Sequence, residues 1–165
     1  MGNNFEEAFK KVIDLEGGFT LHKNQTESEV TYAGIYKKAH PNWRGWEYID
    51  KKETPPTSLV RTFYYENYYK QFEDLPNAIA YVLFESSVNM GSTAIRLAQS
   101  VANVVSDGVF GPKTKEALQN VDEELFIAKF TLAKIAYYNT LAKRDRYRPY
   151  LRGWINRALS SVKEI

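Results

Sequence analysis

Glu16 is the residue of this chain whose type and setting best suit chemistry. It follows Val12 by four positions, so it continues the apolar stripe of Phe5, Ala8, Phe9, Val12 and Ile13 instead of turning towards water. Its place in the last turn of that predicted helix meets the negative end of the helix dipole, where a carboxylate is disfavoured. Both effects penalise the ionised form. A purely structural role would favour lysine here, whereas acid-assisted cleavage of a glycosidic bond needs a carboxyl that keeps its proton near neutral pH. A frayed surface glutamate is the plainer alternative. Gly17 and Gly18 end the helix and, lacking side chains, leave room for a substrate to approach.

Glycoside hydrolysis usually needs a second group on the other face of the sugar. The segment after the glycines offers Glu27 and Glu29, with the hydroxyl of Thr31 close behind. Loop carboxylates are more often simply solvated. Further along, Glu85 and Asn89 share one face of an apolar helix at a spacing of four. There Glu85 reads as a structural partner for lysine or arginine, and Asn89 as a cleft residue. Trp43, Trp46 and Tyr48 can stack on sugars, although aromatic residues anchoring a loop are the commoner case. The candidates for substrate contact are Gly17, Tyr32, Trp43, Asn89 and Tyr138.

The elements that must position these groups are mostly helical. Asn4 and Glu7 have the spacing of a capping box for the first helix, which the glycine pair stops. From Phe19 to Ile35 the helical period is lost, and Val30 and Thr31 suggest a short hairpin or irregular loop. A helical turn and irregular chain follow, up to Pro55-Pro56. A tyrosine-rich helix then runs from Thr57 or Ser58 to about Phe72. The next spans Pro76 to Asn89 and stops at Gly91, and another covers about Thr93 to Val105. Pro112 opens a short helix through Leu118, Asp122 caps a long one to about Ala142, and the last runs from about Pro149 to Val162. The expectation is a mainly α fold with a small β element after the first helix.

The 165 residues suit one compact unit, or a domain with a closely packed subdomain. The net charge of +2 gives no argument for nucleic acid. Basic residues nevertheless cluster near the end, where Lys143, Arg144, Arg146, Arg148, Arg152 and Arg157 face only Asp145, a distribution that reads equally as a face drawn to polyanions or as a solvated helix end. There is no cysteine, and His22 and His40 do not make a metal-ligand spacing, so neither metal nor organic cofactor is expected. No stretch is long and apolar enough for stable membrane insertion. The first residues lack the basic and apolar regions of a signal peptide, so the expectation is synthesis in the cytoplasm, with a separate route of release if the target lies outside.

Five segments in order resemble glycoside hydrolase family 108. They are Leu15-Glu16-Gly17-Gly18-Phe19, Thr31-Tyr32-Ala33-Gly34-Ile35, Val88-Asn89-Met90-Gly91, Asp107-Gly108-Val109-Phe110-Gly111-Pro112-Lys113-Thr114 and Gly153-Trp154-Ile155-Asn156-Arg157. The resemblance implies a muramidase that cuts the β-1,4 bond between N-acetylmuramic acid and N-acetylglucosamine, with Glu16 as the acid. It implies a catalytic region over residues 1–91 and a helical peptidoglycan-binding-like region over 92–165. The partner is then the peptidoglycan glycan strand, and the chain is expected to act as a monomer. Where the family commonly carries aspartate, proline and two glycines before the threonine, this chain has Asn24-Gln25-Thr26-Glu27-Ser28-Glu29-Val30. Either a glutamate substitutes, Glu27 being the first choice, or Thr31 alone positions the water, or catalysis is weak or lost. A phage or prophage endolysin is the preferred setting, with a muramidase serving protein secretion as its variant. A wall-binding module without activity is the rival from another class, and a helical interaction scaffold leaves the Glu16 pattern unexplained.

Overall fold

The computed structural model describes residues 3–23 and 28–164, and its chain divides into two compact units, Met1–Lys70 and Gln71–Ile165. The architecture is mainly α with one small sheet, as expected. The boundary read from the sequence between residues 91 and 92 falls inside the second unit, where Gly91 separates two helices.

The first unit begins with α1 (Asn3–Leu15), one residue earlier than the expected cap at Asn4. Phe5, Ala8, Phe9, Val12 and Ile13 are all buried, so the apolar stripe forms the helix's inner face. Burial of each large side chain contributes about 1.5–3 kcal/mol. Three short strands follow, β1 (Leu21–His22), β2 (Thr31–Tyr32) and β3 (Ile35–Tyr36), paired antiparallel in that order. Leu21 faces Tyr32, and Tyr32 faces Ile35. A five-residue helix, α2 (Trp46–Asp50), is tied to the preceding chain by the Trp46 indole, which donates to the His40 carbonyl at 2.8 Å.

The helix starting at Thr57 departs from expectation. It is regular only as α3 (Thr57–Tyr64), widens into a π-helical turn at Tyr65–Tyr69 and tightens to a 3-10 turn at Lys70–Phe72. The Asn67 side-chain amide donates to the Phe63 carbonyl at 2.8 Å. That carbonyl is the acceptor the Asn67 backbone N–H would take in a regular helix, and the side chain's claim on it accompanies the widened turn. The rings of Tyr65 and Tyr69 then close around Phe5, with centroids 5.1 and 4.9 Å away.

The second unit is a helical assembly around α4 (Asn77–Met90), buried without interruption from Ile79 to Ser87. α5 (Ser92–Val101) and α7 (Glu123–Leu141) pack on it, and α8 (Leu151–Ser160) packs on α7. α6 (Pro112–Gln119) begins at its proline as expected, and the Asp122 carboxylate caps α7 by accepting from the Leu125 N–H at 2.8 Å. α5 ends four residues before the expected Val105. Asn103 there takes a left-handed conformation (φ 57°), so the chain turns away after Ala102. α8 is also shorter than expected, because 3-10 turns at Asp145–Tyr150 and Ser161–Glu164 flank it. Among the described residues no helix is long and apolar enough to cross a membrane.

Candidate active site

Glu16 is the cap residue at the end of α1. The Gly18 N–H donates to the Ile13 carbonyl at 2.9 Å, the Gly17 N–H donates to Asp14 at 3.2 Å, and Gly17 is left-handed (φ 87°). This is a Schellman closure, which needs a residue free to adopt positive φ just after the cap. The sequence Glu-Gly-Gly therefore stops the helix and fixes the carboxyl at its rim in one device. Thr20 Oγ1 donates to the Gly17 carbonyl at 3.1 Å and holds the departing chain. The Glu16 side chain is half-buried, while Leu15, Phe19 and Leu21 beside it remain exposed.

The β2–β3 hairpin packs against the Glu16 side chain. Its turn consists of Ala33 and Gly34, both at positive φ (48° and 77°), as a two-residue hairpin of this handedness requires. Alanine is an uncommon choice there, and its conformation is held by its N–H donating to the Thr20 carbonyl at 3.1 Å and by the Tyr64 hydroxyl donating to its own carbonyl at 2.8 Å. A methyl group on Gly34 would stand 3.0 Å from both Cγ and Oε2 of Glu16 and would also run into the Tyr64 hydroxyl. Gly34 is thus the seat on which the Glu16 carboxyl lies.

Tyrosines of α3 and the π-turn lie next to the hairpin. Tyr64 is fully buried beneath the hairpin, and the half-buried Tyr68 lies against it with ring centroids 5.9 Å apart. Burial, and after it the charge of Glu16, push the Tyr68 hydroxyl above its ordinary value, so it remains a protonated hydrogen-bond donor at neutral pH. Tyr64 and Tyr68 were not singled out from the sequence, and Gly34 stood only within the 31–35 segment of the family resemblance. The only local signal was the four-residue spacing of the tyrosines, which reads equally well as core.

Substituting Gly34 by alanine is expected to cost about 1–2 kcal/mol in backbone strain alone. The displaced Glu16 carboxyl should reduce cleavage further than that loss of stability accounts for. Denaturant melts and initial rates measured on the same preparation would separate the two. A Gly34→Ala protein with wild-type rates would show that the seat is not needed.

The other residues named from the sequence are placed as follows. Thr31 is buried on β2, opposite His22 and Tyr36, three residues before the Gly34 turn. Tyr32 is buried and stacks on Trp43 with centroids 6.0 Å apart. Its hydroxyl has no hydrogen-bond partner among the described residues, and burial raises its pKa. Trp43 also packs edge-on to Trp46 and covers Gly45, where a methyl group would collide with the indole. A concavity of about 330 Å³ opens beside it, lined in part by His40, Asn42, Phe63 and Asn67. Burial lowers the pKa of the His40 imidazole, which is therefore neutral at pH 7. Glu27 lies outside the described residues.

In the second unit, Asn89 Nδ2 donates to the Tyr138 hydroxyl at 2.6 Å, so two residues named independently are in contact. The Tyr138 ring is buried and stacks on Trp154, offering no free face to a sugar, and burial pushes its hydroxyl up to about 12. Its neutral hydroxyl orients Asn89. Glu85 is sealed inside, paired with Arg157 and, at 3.4 Å, with Lys134. Among the described residues no group of three or more acidic, histidine or cysteine side chains gathers to hold a metal.

A carboxyl at a helix rim, seated on a hairpin glycine within a mainly helical lysozyme-like frame, is the equipment of a glycoside hydrolase. The family model described as glycosyl hydrolase 108 matches residues 9–91, just over half of the chain, and the protein belongs to that family. A second model, described as a predicted peptidoglycan domain, matches residues 93–159. Among solved structures, SagA of Brucella abortus is similar in fold, with a TM-score of 0.67 over 96% of this chain and 95% of its own, at 21% identity. No curated protein matches the chain.

Proposed function

We propose that this glycoside hydrolase is an N-acetylmuramidase, cleaving the β-1,4 bond between N-acetylmuramic acid and N-acetylglucosamine with Glu16 as general acid. The observation that carries the reading is the position of the Glu16 carboxyl, fixed by the Schellman closure and laid over Gly34, with exposed apolar side chains around it. Glu16 gives its proton to the glycosidic oxygen, which leaves with the bonding electron pair, and positive charge develops at C1 of the muramic acid. Water adds to C1, oriented by Thr31 or Glu27, and its proton passes to the Glu27 carboxylate or, where Thr31 alone orients the water, to bulk solvent. The match of residues 93–159 to a predicted peptidoglycan domain supports the wall polymer as substrate.

The test is the new chain end. Digests of purified peptidoglycan, reduced with borohydride and read by mass spectrometry, should carry muramitol at the reduced terminus. Reduced glucosamine ends would assign the other glycosidic bond, and 1,6-anhydro ends would replace water by an internal hydroxyl. Either product overturns the proposal. The setting proposed for this reaction is opening of the wall during lysis, as a phage or prophage endolysin. Co-expression with a pore-forming holin should lyse the host, and a culture that survives with active enzyme inside it would refute that role.

A further inference from the structure

The second unit holds a groove of about 620 Å³ lined by residues between 103 and 114. Its walls include Val104, Val105, Val109 and Pro112, with Asp107 and Lys113 as charged groups. Val105 is 80% exposed and Val109 65%, an unusual investment of apolar surface in water. The loop that carries them is nevertheless firmly held. Gln99, buried on α5, uses its whole side-chain amide on it. Nε2 donates to Asp107 Oδ1 at 2.8 Å, to the Val109 carbonyl at 3.0 Å and to Thr114 Oγ1 at 3.0 Å, and Oε1 accepts from the Gly108 N–H at 2.8 Å. Arg96 adds a bond from Nη1 to the Ser106 carbonyl at 2.7 Å, and Phe110 is anchored edge-on against Phe72. A buried glutamine spent on keeping two valines in solvent is what a preorganised binding surface requires, since rigidity lowers the ordering cost on binding.

The charges indicate what fits. The Asp107 carboxylate is fixed through Oδ1, which also accepts from the Val109 N–H at 2.9 Å, and these hydrogen bonds hold it ionised. Lys113 is exposed and makes no ion pair among the described residues. Small apolar walls, one fixed carboxylate and one free ammonium complement a short peptide with methyl side chains, an amine and carboxylates. We infer that this groove binds the peptide stem of peptidoglycan, with the stem's amine towards Asp107, a stem carboxylate towards Lys113 and its alanine methyls on the valines. This rests on the proposed action on peptidoglycan and deepens it, because residues 93–159 match a predicted peptidoglycan domain without any part of the wall polymer being assigned to a surface.

The experiment is an NMR titration of the full-length protein with the tetrapeptide L-Ala-γ-D-Glu-meso-diaminopimelyl-D-Ala, and separately with peptide-free glycan strands. The tetrapeptide should shift resonances in the 103–114 loop. Val105→Asp and Lys113→Glu, both solvent-facing changes whose folding the same spectra verify, should each weaken binding tenfold or more. Absence of shifts at millimolar tetrapeptide, shifts confined to other segments, or equal response to peptide-free glycan would each overturn the inference. Tetrapeptide binding with no cleavage of walls would instead sink the muramidase reading and leave this one standing.

Discussion

Glu16→Gln is expected to lower glycan cleavage at least about a hundredfold, the loss typical of removing a general acid. That corresponds to about 2.7 kcal/mol of transition-state stabilisation. The amide has the shape of the carboxyl and fits the same seat over Gly34, so the loss is chemical. It can hydrogen-bond to the glycosidic oxygen but cannot deliver a proton to it. The fold should be unaffected, because the helix end is closed by backbone groups, Glu16 N–H to Val12 and Gly18 N–H to Ile13. Removing the negative charge should also lower the Tyr68 pKa, since Glu16 contributes to raising it. Reducing-end release and wall pull-downs on wild type and variant give the answer together. A variant that binds walls and does not cut them supports the assignment, and one that cuts at the wild-type rate removes Glu16 from the mechanism.

What the sequence revealed was local. The apolar stripe of α1, the glycine pair after Glu16, the proline opening α6 and the aspartate capping α7 are signals contained within a few residues, and each appears where expected. The hairpin was half legible. Val30 and Thr31 suggested it, but Ala33 at positive φ is not the asparagine or aspartate that usually announces such a turn. The seat of Glu16 was not legible at all, because it depends on Tyr64 reaching Ala33 across 31 positions and on a π-turn that no hydrophobic period encodes. The pairing of Asn89 with Tyr138 likewise spans 49 positions. Gln99 is a further case. It reads as a surface residue, yet it is buried because the acceptors and donor that satisfy its amide come from residues 107 to 114.

Glu85→Ala is expected to destabilise the second unit by about 3–5 kcal/mol, the range for removing one partner from a buried ion pair. The Glu85 side chain is 3% exposed, and its two oxygens serve Arg157, Lys134 and the Ser86 hydroxyl. Arg157, at 17% exposure, can turn towards water when its partner is lost. Lys134, at 1%, cannot, and would keep only Ser161 Oγ at 2.7 Å and the face of Phe130. Desolvation already lowers the Lys134 pKa, and Glu85 is the group that opposes it. Without Glu85 the folded state should hold that proton less tightly still. A lysine whose folded pKa lies below its unfolded value binds fewer protons in the native state, so stability rises with pH up to about 10.4, the unfolded value. The deficit of Glu85→Ala should therefore shrink as the pH is raised. The double variant Glu85→Ala with Lys134→Met should recover much of the loss, because it removes the stranded charge and replaces it with apolar bulk. Urea unfolding followed by far-ultraviolet circular dichroism at pH 7 and pH 9 would read all three effects. A single variant that loses less than about 1 kcal/mol would contradict burial of the pair, and a double variant no better than the single would mean that Lys134 is not the charge left behind.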